Sequence, residues 1–264
     1  MSDPLIQSFV KTWPYDLLVF IRMSGLFLVS PVFGQKTIPT LVKSGLCLLL
    51  TLIVVQTVQP TVDYGAIPVP VYGLLIIKEL MVGAVLGFIT LLFFSVCLVA
   101  GQIIDVELGL GAGSLFDPQM QTQTSVTGLF LNLLLSLYFI LSDGHLRLIA
   151  ILVYSVRKIP IGQVHLTPGF ANWIGEQFAL SFGLAVSLML PFIAAALLTE
   201  VALGILMRAI PQLNAYMVGI PLKVLVGLAV LLMIQPLFQP FCDRLFSQMF
   251  SAAEQAVNSL GVSA

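Results

Sequence analysis

Apolar side chains fill this chain in long runs, and polar residues arrive in short clusters between them. The runs are Tyr15–Phe33, Leu41–Val58, Val71–Ala100, Val126–Leu141, Leu146–Val156, Phe178–Thr199 and Tyr216–Pro236. Several match the length of a bilayer crossing, about 20 residues, and the chain reads as all-α. Residues 1–13 form a short mixed leader. The first run contains Arg22 and Ser24-Gly25 and stops at Pro31-Val-Phe-Gly34; Ile38-Pro39 and Lys43 restart the chain. Pro60, Pro68 and Pro70 mark a connection that cannot continue as a regular helix. As a helix, Val71–Ala100 would measure about 45 Å. It must therefore tilt, kink or project beyond a ~30 Å hydrocarbon core. Within it Gly83 and Gly87 form a GxxxG pair, which permits close approach of another helix.

Later runs are more broken. Ser142-Asp143-Gly144-His145 reads as a turn in which Ser142 or Asp143 can cap and Gly144 permits a positive φ. Leu146–Val156 ends at Arg157-Lys158-Ile159-Pro160, and residues 159–175 read as a loop punctuated by proline and glycine. Pro191 interrupts Phe178–Thr199, and Glu200–Ile210 continues it with Glu200 and Arg208. After Pro211-Gln-Leu-Asn214, the last run holds Pro221 and Lys223. The tail sets Phe241, Leu245, Phe246, Met249, Phe250, Ala253 and Val257 on one helical face. That is an amphipathic helix suited to an interface or a partner groove.

The longest polar interruption is residues 101–124, GQIIDVELGLGAGSLFDPQMQTQT, read here as loop. It carries Asp105, Glu107 and Asp117, and no lysine or arginine occurs between Lys78 and Arg147. Gly109, Gly111 and Gly113 provide a backbone of small cross-section with access to positive φ. Phe116 adds an apolar tip and Asp117-Pro118 a turn. Such a segment can line or block a passage between packed helices; the bland alternative is an ordinary flexible connection. Loops of this length are more often functional or disordered than idle. The glycines lack the G-x-G-x-x-G spacing and a preceding strand, which argues against a nucleotide site.

Composition narrows the class. Hydrophobic residues make up 59% of the 264 and charged residues only 9%, against about a quarter charged in soluble domains. Too few polar side chains remain to cover a soluble core, so the chain is an integral membrane protein or part of an obligate hydrophobic assembly. A net charge of -1 leaves no electrostatic footprint for nucleic acid. Cys47, Cys97 and Cys242 are scattered through apolar runs as packing residues. With Asp3 before any lysine and no cleavage-type stretch, the N-terminus does not read as a cleaved signal peptide. His145 and His165 lack metal-ligand spacing, and no catalytic arrangement or cofactor motif is present.

Arg22, Lys43, Lys78, Glu79, Glu200, Arg208 and Lys223 sit inside apolar segments or at their ends. At the centre of a lone helix each would cost roughly 2.5–3.5 kcal/mol, so pairing within a bundle is expected. They either orient helices and join neighbouring subunits or couple ion or proton movement. Lys78 and Glu79, being adjacent, point to different faces; Glu200 and Arg208 are more than two turns apart. Lys36 and Lys43 fall opposite Arg157 and Lys158 when spans simply alternate, unless Leu146–Val156 is itself counted as a crossing, so the positive-inside rule assigns no orientation. Either one segment is re-entrant or some helices do not cross.

Taken in order, Arg22-x-Ser24-Gly25, Pro31-Val-Phe-Gly34, Ile38-Pro39, Lys43, Lys78-Glu79-Leu-x-x-Gly83, Gly87-Phe88, Gly101-Gln102-x-Ile-Asp105, Phe116-Asp117-Pro118, Ser142-Asp143-Gly144-His145, Pro211-Gln212-Leu213-Asn214 and Gly219-x-Pro221 form a series. It resembles the FliR family of type III secretion export-gate proteins from about Tyr15 to Pro236, its flagellar branch more than its virulence branch. That resemblance implies an all-α integral membrane fold of bent hydrophobic helical hairpins, like FliP and FliQ fused in one chain. It implies a non-enzymatic subunit, residues 1–264, of a multi-subunit helical channel built with FliP and FliQ and associated with FlhB. Exported flagellar proteins would be cargo, and membrane lipids would surround it at the basal body in the bacterial inner membrane. Part of the assembly would stand on the periplasmic side, which would account for the failed orientation.

The chain divides into residues 1–125, hairpins over 126–240 and an amphipathic tail over 241–264, and the resemblance implies that the loop at about 101–124 carries the family's plug. The plug would fall on Gly109, Leu110, Gly111, Ala112, Gly113, Ser114, Leu115, Phe116, Asp117 and Pro118. Arg22, Lys43, Lys78, Glu79, Asp105, Glu107, Glu200, Arg208 and Lys223 would make polar contacts between helices or subunits. The alternative is a stand-alone secondary transporter with Lys78, Glu79 and Glu200 as coupling groups and helices broken at Pro191 and Pro221. No clear inverted repeat of hydropathy supports it.

Overall fold

The computed structural model describes residues 4–35, 37–58, 64, 67–110, 125–165, 168–210 and 215–261. These form seven helices and, among the described residues, no strand. They are α1 Pro4–Val29, α2 Thr40–Thr57, α3 Val69–Glu107, α4 Val126–Leu141, α5 Gly144–Lys158, α6 Phe170–Ala209 and α7 Ala215–Leu260. Thr40–Thr57, Val69–Glu107, Phe170–Ala209 and Met217–Leu260 are each long and apolar enough to cross a membrane. Helices α4 and α5 would make a fifth span if counted together. The chain is an all-α integral membrane protein.

Two compact units divide it. Unit one comprises Met1–Leu92, Asp143–Gln177 and Ser247–Ala264; unit two comprises Phe93–Ser142 and Phe178–Phe246. In unit one, α1 and α3 run in the same direction. Tyr72 Oη donates to the Pro14 carbonyl at 2.7 Å near their starts, and Gly25 meets Gly83 further along. Helix α2 returns antiparallel to α1, its end held by Tyr15 Oη donating to the Val58 carbonyl at 3.1 Å. Its start is held by Lys43 Nζ donating to the Gly34 carbonyl at 3.0 Å.

Each unit contains a close crossing of helices. A Cβ on Gly83 would lie 2.1 Å from the Arg22 carbonyl oxygen, and one on Gly25 would lie 2.7 Å from that of Leu80. In unit two a Cβ on Gly101 would lie 2.1 Å from Gly128 Cα. With lipid as apolar as leucine, helix association must come from such close van der Waals contact.

Several elements run further than their sequence suggests. The leader belongs to α1, which passes through Pro14. Helices α6 and α7 pass through Pro191 and through Pro221, Pro236 and Pro240. A proline removes one backbone hydrogen bond, whereas breaking a helix in hydrocarbon would leave several groups unpaired. Helix α6 also begins at Phe170, inside the stretch read as a loop.

The first part of residues 101–124 is not loop either: Gly101–Glu107 closes α3, with Ile104 fully buried and Asp105 nearly so. At the α4–α5 corner the left-handed residue is Asp143, at φ 55°, rather than Gly144; aspartate tolerates this region better than most side chains. The tail is continuous with α7 and finds its partner within the chain. Leu245 and Phe246 are buried in unit two, and Met249, Phe250, Ala253 and Val257 in unit one.

The glycine crossings yield a direct expectation. Gly83→Ala and Gly101→Ala force backbones apart and should each cost about 1–3 kcal/mol. Gly183, with nothing within 4 Å of its Cβ position, should accept alanine within about 0.5 kcal/mol. Thermal melts of the detergent-solubilised variants separate the two classes; equal melting of all three would contradict the crossings.

Candidate functional site

Two polar arrangements stand out against the apolar background. The first lies in the core of unit one, where Arg22 of α1 and Glu79 of α3 have side chains at 0% exposure. Arg22 Nε donates to Glu79 Oε2 at 2.5 Å. Arg22 Nη1 donates to the carbonyls of Ser155 at 2.9 Å and Ile159 at 3.0 Å, at the end of α5. Glu79 Oε1 accepts from the Gly162 backbone N–H at 2.7 Å, and Gly162 adopts φ 83°.

The pair thus ties α1 and α3 to the end of α5 and the turn that follows. A helix C-terminus leaves carbonyls without intrahelical donors and carries partial negative charge, and a guanidinium answers both. Tyr64 Oη adds a bond to the Ile161 carbonyl at 2.9 Å, and His165 N–H donates to the Leu260 carbonyl at 3.2 Å. The connection after α5 is therefore held from three sides.

The second arrangement is the root of the central segment, in unit two. Asp105, near the end of α3, accepts the Thr127 backbone N–H at 3.3 Å through both carboxylate oxygens. Ser125 caps α4, its Oγ accepting from the Gly128 N–H at 2.8 Å. These satisfy donors at the α4 N-terminus and place negative charge where the helix dipole favours it. Gly109, at φ 75°, turns the chain out of α3 against Ile220, and Leu108 packs on Gly227. Leu108, Leu110, Val126, Thr127 and Phe130 help line an apolar cavity of about 350 Å³. Both ends of the segment are thereby fixed side by side.

The sequence-derived candidates are distributed as follows. Gly109 and Leu110 belong to this root, whereas Gly111, Ala112, Gly113, Ser114, Leu115, Phe116, Asp117 and Pro118 lie outside the described residues. Arg22 and Glu79 come together; Glu200 pairs with Lys223 across α6 and α7; Lys43 bonds the Gly34 carbonyl. Lys78 and Arg208 are exposed and Glu107 is half-buried.

Ser125, Thr127 and Gly128 were not among the candidates, although a serine just before an apolar run is a helix-start signal. Gly162 carries no comparable signal, because only the fold brings it to Glu79. Among the described residues no three His, Cys, Asp or Glu side chains gather as a metal-binding group, and all three cysteines are buried and free.

Residues 15–249 match the family model for bacterial export proteins, family 1. The chain is 30% identical to the flagellar biosynthetic protein FliR of Bacillus subtilis (strain 168), covering 98% of this chain and 100% of that protein. It is 30% identical to the FliR of Escherichia coli (strain K12), covering 94% of this chain and 92% of that protein. For the FliR of Pectobacterium carotovorum subsp. carotovorum the identity is 33%, covering 95% and 94%.

The buried pair can be tested by a double-mutant cycle. Arg22→Met or Glu79→Leu alone strands a charge and should cost about 3–5 kcal/mol. The double variant should be no less stable than the worse single, showing strong coupling. Additive losses in melts of the solubilised chain would mean the two side chains act separately.

Proposed function

The chain belongs to the bacterial export proteins, family 1, and from that premise we propose that it is a channel subunit of the flagellar type III export gate. Full-length similarity to proteins named flagellar biosynthetic protein FliR carries this reading. As a component of the flagellar export apparatus it works in the bacterial inner membrane at the basal body, with part of the assembly on the periplasmic side. FliP and FliQ are its channel partners, FlhB associates with it, and unfolded flagellar proteins pass through as cargo. It performs no catalysis; the energy for transport comes from elsewhere.

In this reading the segment after Gly109 helps plug the resting channel. The glycines at 109, 111 and 113 supply mobility and Phe116 supplies bulk. The root in unit two supports such a role. A plug must be loose at its tip and fixed at its ends, and Asp105, Ser125 and the Gly101–Gly128 contact fix those ends. The transporter alternative has less support. Glu79 is fully engaged by Arg22 and the Gly162 N–H, leaving no free carboxylate there to cycle a proton.

Two experiments address the proposal. Deleting residues 110–116 should leave the assembly intact by size while raising ion leakage in reconstituted vesicles well above wild type. A deleted channel that stays tight would remove the plug role. Native mass measurement after mild-detergent purification should find the chain with several small hydrophobic partners in fixed ratio. A chain that purifies alone and binds a small solute would instead be the transporter.

A further inference from the structure

We propose that Lys78, Arg157 and Lys158 of unit one bind the headgroup of an anionic phospholipid whose acyl chains lie along the exposed apolar face of α3. The three cations come from separate stretches of sequence but share one locus. Leu75, one turn before Lys78, packs on Gly162, where a Cβ would lie 2.9 Å from Leu75 Cδ2. Glu79, next to Lys78, accepts the Gly162 N–H at 2.7 Å. Gly162 follows Lys158 by one short turn, closed by the Gln163 N–H donating to the Pro160 carbonyl at 3.0 Å. Lys78, Arg157 and Lys158 are all exposed.

Cations gathered in this way repel one another unless an anion joins them. Among the described residues none of the three forms an ion pair. Glu79, the adjacent acid, is buried and spent on Arg22 and the Gly162 N–H. Nor does the end of α5 need Arg157 and Lys158 to satisfy its carbonyls. Arg22 Nη1 already serves those of Ser155 and Ile159 from within the core. The outward charges are left for a ligand.

Two features make that ligand a lipid. Helix α3 has 39 residues, about 58 Å at the standard rise and nearly twice a ~30 Å hydrocarbon core. Lys78 lies nine residues from its start at Val69, so it fits at headgroup level with ample helix beyond it to cross. Arg157 and Lys158 add charge at the same locus, which hydrocarbon excludes. The second feature is the surface beside Lys78. At helical spacing Leu74, Ile77, Met81 and Phe88 share one face of α3, and all four are exposed. A basic cluster bordering such a face meets phosphate and acyl chains together; a free phosphate would use the charges alone.

The test uses the full chain purified in mild detergent, titrated with phosphatidylglycerol or phosphatidylcholine and followed by native mass measurement of bound lipid. Phosphatidylglycerol should bind about tenfold or more the tighter, each cation adding about three- to fivefold. The triple variant Lys78→Gln, Arg157→Gln, Lys158→Gln should lose that preference. The single variants should each lose part of it, and they serve if the triple variant does not fold. Arg147→Gln, which removes a cation paired with Glu254 elsewhere on α5, should bind like wild type. Phosphatidylglycerol with a photoreactive acyl chain should attach within residues 74–88. Equal binding of the two lipids by wild type overturns the proposal. So does an undiminished preference in the charge variants, or attachment confined to other helices. Displacement by millimolar inorganic phosphate would make this a free-phosphate site, and a Lys78→Cys adduct with another protein in intact membranes a protein contact; either overturns the lipid assignment. The site rests on the membrane class of the chain alone, so its failure leaves the export reading as it stands.

Discussion

Arg22 and Glu79 meet where no water reaches, and that meeting fixes where three segments of unit one can lie. Strength alone does not justify such a pair, since well-packed apolar side chains would often be as stable. What apolar side chains could not do is serve the groups around it. The Ile159 carbonyl is fully buried and the Gly162 N–H partly so, and each would cost free energy if left bare. One fork of donors and one pair of acceptors satisfy all of them, and only in one arrangement. The charges therefore act as a register device in a core that would otherwise tolerate sliding.

Glycine plays the matching part between helices. Gly25 against Gly83 and Gly101 against Gly128 let backbones approach as closely as backbones can. In lipid, where burial of leucine against leucine gains little, this proximity is what holds helices together. The second crossing has a functional side. It brings the end of α3 beside the start of α4, so Asp105 can reach the α4 N-terminus. The root on either side of the central segment is thereby held in place.

Much of the architecture was legible before any coordinates. Span-length apolar runs placed α2 and α4 almost to the residue, because helix period and bilayer thickness leave little freedom. Internal prolines misled at Pro14, Pro191, Pro236 and Pro240; rules drawn from water, where a broken helix can be hydrated, lose force in an apolar medium. Gly101–Glu107 looked like loop because of its glycine and its two acids. Yet Gly101 is a contact residue and Asp105 a cap for another helix, roles invisible without the neighbour. The tail's apolar face was evident, but its occupant was not, since any apolar surface satisfies such a face equally.

Composition and order along the chain were enough to establish a membrane protein, all helical, of the export family, with its charges in need of partners. Which charges meet was a matter for three dimensions. Lys78 and Glu79 are neighbours in sequence, but one faces outward and the other is buried against a residue 57 positions away. Periodicity assigns a side chain to a face of its own helix; only packing decides what stands opposite that face. The low dielectric of the interior then turns that choice into a binding constraint.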